Sequence, residues 1–150
     1  MARQFDIHIQ TLPEADQRDT FKYMTFGFEG GVGVKGFQML INQWLKCFLT
    51  QRGSDPADLG YGTTFTALMG SNVPLADARD VTVLSVDECN EQVQGFNRAT
   101  ISLSLSERLA SAQIIDFVDK PSAPGFDVFI EIKNQANERL VINLPVLSTV

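Results

Sequence analysis

Histidine is nearly missing: His8 is the only one in 150 residues. Most metal centres draw on several imidazoles or thiolates, and a Ser-His-Asp or Cys-His centre would have to use this one ring. His8 falls in an alternating stretch and reads as a solvated strand side chain. Cysteine is scarce too. Cys47 and Cys89 stand alone, with no pair at metal-ligand spacing. One falls in each of two predicted helices, so both are expected to be free thiols filling a helix interface. No cofactor or metal is expected.

Base is short against acid: 12 Lys and Arg face 18 Asp and Glu, for a net charge of -6 and a pI near 4.6. Nucleic-acid binding needs a positive face to displace counterions, so no nucleic-acid partner is expected. No apolar run approaches the roughly 20 residues that cross a bilayer, so no membrane partner is expected. The opening Met-Ala-Arg-Gln-Phe-Asp-Ile-His-Ile alternates, whereas a signal peptide has a continuous apolar core. The expectation is a protein made and kept in a reducing cytoplasm.

What is present is an ordinary folding composition, 44% hydrophobic and 20% charged, sized for one domain or a domain with an arm. Its organising stretch is residues 37–50. Phe37, Leu40, Ile41, Trp44, Leu45, Phe48 and Leu49 recur at helical spacing and predict one broad buried face. Asn42, Gln43, Lys46 and Thr50 fall on the side left to water. Gly36 precedes the helix, and Arg52-Gly53 reads as a stop, a cation against the last carbonyls and a glycine free to turn left-handed.

Upstream, Phe5, Ile7 and Ile9 alternate with polar residues, and Phe21 and Tyr23 alternate with Lys22 and Met24. Residues 5–12 and 21–28 therefore predict an N-terminal hairpin, which must pack on something because a lone hairpin is marginal in water. Gly30, Gly31 and Gly33 read as a joint. A phosphate loop would need a Lys-Ser/Thr after the last glycine.

Downstream, residues 51–62 form a turn of Gly, Pro, Asp and Ser, and residues 64–69 a short helix. A second helix is expected over about 80–99, with Val86, Cys89, Val93 and Phe96 as its stripe and Val83 just upstream. Strands follow. Ala110, Ala112 and Ile114 alternate, then Val128, Ile130 and Ile132, then Leu140, Ile142 and Leu144. Pro145 is expected to end the last strand, because it cannot donate into a ladder. The predicted architecture is α+β: two main helices packed on a small antiparallel sheet, with an N-terminal β-hairpin extension. Residues 1–35 make hairpin and joint, residues 36–150 the domain.

Asp87, Glu88 and Glu91 could supply paired carboxylates for glycoside hydrolysis, but adjacent acids on a helix read as a solvated face. No active site emerges, so the chain reads as an assembly part. The last hairpin carries the sharper idea: a final strand with one apolar face can be extended by a strand from another chain. An edge capped within the molecule is the alternative.

The order of parts resembles the sheath-initiator baseplate wedge family of contractile phage tails, once labelled lysozyme-like. The likeness lies in the helix over residues 36–50, then Thr50-Gln51-Arg52-Gly53, Pro56, Tyr61-Gly62-Thr63, Leu68 and Gly70, and a Glu107-Arg108 step into strands. It spans roughly residues 36–147. The family's Glu-Pro-Arg step lacks its proline here, the turn carries Ser54-Asp55-Pro56 in place of Glu-Arg, and the hairpin is additional.

The resemblance implies a non-enzymatic virion protein of the tail baseplate, assembled in the host cytoplasm, linking the wedge to the first sheath ring. Its strands would template tail sheath polymerisation by β-augmentation, with Val128, Ile130, Ile132, Leu140, Ile142 and Leu144 as the sheath platform. Glu107 and Arg108 would meet baseplate wedge proteins, and the hairpin a wedge or tube protein. Other classes stay open: another tail or tube-associated assembly protein, a regulator on the same fold, or a cell-wall hydrolase.

Overall fold

The computed structural model describes residues 35–71, 73–120 and 125–147. Two α-helices, α1 (Phe37–Leu49) and α2 (Leu75–Ala99), precede three strands, β1 (Leu109–Asp119), β2 (Gly125–Asn134) and β3 (Arg139–Leu147). The strands form one antiparallel sheet in the order β1-β2-β3. The class is α+β. The expected hairpin of residues 5–12 and 21–28 lies outside the described residues.

α1 forms where the apolar spacing placed it, but buries more than one face. Met39, Asn42 and Cys47 are buried along with Leu40, Ile41, Trp44, Leu45 and Phe48. The assignment of Asn42 to the water side is therefore corrected: the side chain is fully buried and its Oδ1 accepts a hydrogen bond from Gln38 Nε2 at 2.9 Å. α1 is covered by α2, by the sheet and by the loop that follows it. Trp44 stacks on Phe48 at 4.8 Å, and Phe48 meets Phe65 at 4.4 Å, filling the centre of the core with aromatic area.

The loop after α1 folds back and zips to itself. Thr63 N–H donates to Thr50 O at 2.9 Å, and Arg52 N–H to Thr63 O at 3.0 Å. Thr63 Oγ1 donates to Phe48 O at 2.7 Å, satisfying one of the carbonyls a helix leaves open at its end. Gly62 makes the closure possible: its φ is 95°, and a Cβ there would lie 2.4 Å from Thr50 O. Arg52 does not cap the helix carbonyls as expected. It pairs with Glu88 of α2 at 2.9 Å.

α2 starts at Leu75, five residues before the expected Asp80, directly after Pro74, whose fixed φ suits a helix entrance. Its buried side is small and polar: Ala78, Thr82, Ser85, Val86, Cys89, Val93 and Asn97. Phe96 and Val83, expected in the stripe, are 40% and 42% exposed. Small residues allow α2 to approach α1 and β1 closely, and that close approach turns its larger apolar groups outward.

β2 is the central strand, and its burial alternates strictly along its length. Phe126, Val128, Ile130, Ile132 and Asn134 point into the core. β1 carries two irregularities, between Leu109 and Ser111 and between Ile114 and Asp116. β3 runs through Pro145 to Leu147, so the expectation that Pro145 ends the strand is corrected; the reason lies in which way its backbone faces.

Candidate functional site: an open strand edge

The connection from β2 to β3 fixes the backbone direction of every residue beyond it. Asn134 N–H donates to Glu138 O at 3.1 Å and Asn137 N–H to Asn134 O at 3.2 Å, with Asn137 at φ 66°. This is a three-residue loop, a turn followed by one left-handed residue. Asn134 opposite Glu138 is then a hydrogen-bonded pair, and such pairs alternate along an antiparallel ladder. Leu140, Ile142, Leu144 and Val146 turn their N–H and C=O groups toward β2. Arg139, Val141, Asn143 and Pro145 turn theirs to the outer edge. Pro145 is tolerated because the donor it lacks would have pointed away from the sheet.

The expected sheath platform is thereby placed residue by residue. Val128, Ile130 and Ile132 are fully buried and Ile142 is 3% exposed; Leu140 and Leu144 are half-buried against the core. All six side chains face the helices. The outward backbone belongs to the residues between them on β3. Among the described residues, nothing pairs with that outer edge.

The opposite edge is treated differently. Asn90 Nδ2 donates to Ala112 O at 2.8 Å and Gln94 Nε2 to Ala110 O at 3.1 Å, while Leu109 N–H donates to Asn97 Oδ1 at 2.8 Å. Three amides of α2, spaced along one helix face, occupy outer groups of Leu109, Ala110 and Ala112 at the start of β1, where a further strand would need them. Asn90 also accepts from Trp44 Nε1 at 3.0 Å. Two residues beyond Asn90, on another side of α2, Gln92 grips Gly62 twice, its Nε2 donating to Gly62 O at 2.9 Å and its Oε1 accepting Gly62 N–H at 3.0 Å. None of these amides was singled out from sequence. The only signal was a density of Asn and Gln on a helix, without apolar period to draw attention.

Glu107 and Arg108 sit at the corner where α1, β1 and the β2–β3 loop converge. Glu107 is 8% exposed. Its Oε1 accepts Gly36 N–H at 3.0 Å, and its Oε2 accepts both the N–H and the Oγ–H of Ser104 at 2.9 Å. Arg108 donates from Nε to Leu103 O at 3.2 Å and from NH2 to Ile101 O at 3.4 Å, and its own carbonyl accepts Gln135 N–H at 2.9 Å. The corner therefore holds a loop rigid while Ile101 (89% exposed) and Leu105 (60%) stand out from it.

Cys47 and Cys89 are both free and buried. Cys89 donates to Trp44 O and Cys47 to Gln92 Oε1, each at 3.4 Å. Burial, reinforced by the hydrogen bond with Cys47, pushes the Cys89 thiol far up. Among the described residues no three of His, Cys, Asp and Glu gather to hold a metal, and no helix is long and apolar enough to cross a membrane. Compared with known proteins, the chain matches no family model and no curated protein.

Proposed function

We propose that this chain is a structural, non-enzymatic component of a contractile phage tail baseplate, joining the wedge to the first sheath ring. In this reading β3 receives a strand from a tail sheath subunit and so templates sheath polymerisation. The observation that carries it is the asymmetry of the sheet: α2 amides occupy the start of one border, while the other turns the backbone of Arg139, Val141 and Asn143 outward. Main-chain bonds supply affinity in such pairing, and alternating side chains set register.

The residues behind the resemblance support the reading by their placement. Thr50 to Gly53 and Tyr61-Gly62-Thr63 form the zipped loop that closes α1, and Glu107 is the brace at the entrance to β1. Since the Glu107 carboxylate is turned inward, the contact with baseplate wedge proteins falls to the surface it holds, Ile101 and Leu105 beside Arg108. Neither nucleic acid nor membrane enters this reading; a tube protein is a further neighbour in it.

The test is nucleation of purified sheath subunits on baseplates carrying this protein. Val141→Pro blocks the outer edge without touching the bonds to β2 and is expected to leave baseplates that start no sheath. Sheaths of normal length on such baseplates would sink the assignment.

A further inference from the structure

We propose that the cavity between α1, the zipped loop and α2 is a binding site for an arginine side chain projected by a partner protein. Gln43 of α1, Asp58 and Tyr61 of the loop, and Gln92, Val93 and Phe96 of α2 line it, around a volume of about 320 Å³. That lies at the small end of the roughly 300–1,000 Å³ that ligand sites span, and suits one long side chain rather than a cofactor.

The walls are fixed before any ligand arrives. Gln92 holds Gly62 by both ends of its amide. Asp58 O accepts Tyr61 N–H at 3.1 Å, and Asp58 Oδ1 accepts Gly60 N–H at 3.0 Å. A site set in advance does not lose affinity to the ordering of its own loop.

The lining calls for a cation. Asp58 is its one carboxylate, and no Lys or Arg lines the cavity. Among the described residues no cation pairs with Asp58, and its Oδ2 makes no hydrogen bond. Phe96 gives the second signal. Its ring is left 40% exposed on the same cavity as Tyr61, and aromatic faces attract cations. Guanidinium is the cation that uses both features. Flat and weakly hydrated, it stacks on a ring while its fork of N–H groups meets a carboxylate. A lysine ammonium is compact and strongly hydrated, and does neither as well.

A partner's side chain fits better than the free amino acid. Free arginine would bring its own carboxylate to a lining without a cation, on a chain of net charge -6. Next to Asp58, Leu59 is 66% exposed, an apolar surface that residues flanking a partner's arginine would cover.

The test needs neither sheath nor baseplate, so its failure leaves the baseplate reading standing. Titrating the full-length protein with the capped peptide Gly-Leu-Arg-Leu-Gly is expected to shift the nuclear magnetic resonance signals of Tyr61, Val93 and Phe96 saturably. Citrulline in place of the arginine, an uncharged isostere, should weaken binding about tenfold, and lysine several-fold. Asp58→Asn keeps an oxygen for Gly60 N–H and should weaken the arginine peptide ~5-fold. Phe96→Leu keeps apolar bulk without an aromatic face and should weaken it ~3-fold. Equal affinity for the arginine peptide and either replacement overturns the proposal. So do signals that stay still at the cavity, or unchanged affinity in either variant. Free arginine binding as tightly as the peptide would make this a small-molecule site and overturns the partner. Should a variant unfold, the citrulline comparison on the unaltered chain decides.

Discussion

Glu107 Oε1 accepts the backbone N–H of Gly36 at 3.0 Å, joining residues 71 positions apart. The bond ties the entrance of α1 to the entrance of β1, and the second carboxylate oxygen ties both to Ser104. A buried carboxylate spent on three donors is structural before it is anything else. Glu107→Ala removes the brace between α1 and β1 and is expected to cost about 2 kcal/mol, measured as a lowered urea midpoint with an unchanged slope. Glu107→Gln should cost less, because an amide oxygen can still accept at one of the two positions.

Gly62 and Gly53 provide a matched pair for separating backbone strain from lack of space. Both have positive φ, 95° and 83°, but a Cβ at Gly62 would meet Thr50 O at 2.4 Å, whereas one at Gly53 would meet nothing within 4 Å. Gly53→Ala is expected to cost about 1 kcal/mol. Gly62→Ala should cost about 3 kcal/mol or more, since the zipped loop and the grip of Gln92 must both give way. Equal thermal shifts for the two would contradict the close packing described for that loop.

The alternation along β3 makes a prediction at adjacent positions. Val141→Pro removes a donor that faces outward and should cost about 1 kcal/mol, from its fixed φ alone. Ile142→Pro removes a donor that faces β2 and cuts the ladder. It should cost over ~3 kcal/mol or prevent folding. Similar losses at the two positions, read by chemical denaturation, would mean the register is reversed.

The Cys89 thiol is held protonated in the folded protein by burial and its bond with Cys47, against an ordinary value of 9.0. The sign follows. Below pH 9 both states keep the proton and stability is unaffected by this group. Above it only the unfolded chain ionises, so stability falls by about 1.4 kcal/mol per pH unit. Cys89→Ala should be less stable at neutral pH but show a flatter alkaline decline than the parent. Parallel declines would show that other groups govern it.

α1 and β2 were legible because each repeats an apolar pattern that matches its geometry, period 3.6 from Phe37 to Leu49 and period 2 from Phe126 to Ile132. α2 was legible only in part. Its buried positions include Thr82, Ser85 and Asn97, and no count of apolar side chains finds a face built from hydroxyls and amides. Its start was missed because Pro74 reads as a breaker, yet it stands just before the first turn, where its missing donor costs nothing. Pro145 was misjudged for a related reason: a proline excludes pairing on one side of a strand only, and the sequence does not show which side faces a neighbour.

For the proposed sheath platform, alternation found the residues of β2 and β3 that face the core, not those that turn the backbone of β3 outward. Hydrophobicity tells which residues leave water on folding. A main-chain interface is offered by the residues in between, whose side chains carry no common chemistry. The amides of Asn90, Gln94 and Asn97 were invisible for the same reason, because a hydrogen-bond partner 12, 16 or 22 positions away leaves no local trace.

Those amides have a consequence for growth. With Asn90, Gln94 and Asn97 seated on the first four residues of β1, a second copy laid along that flank would have to displace three hydrogen bonds to α2 before its strand could join. On the proposed reading this favours addition at the far flank and gives strand growth a direction.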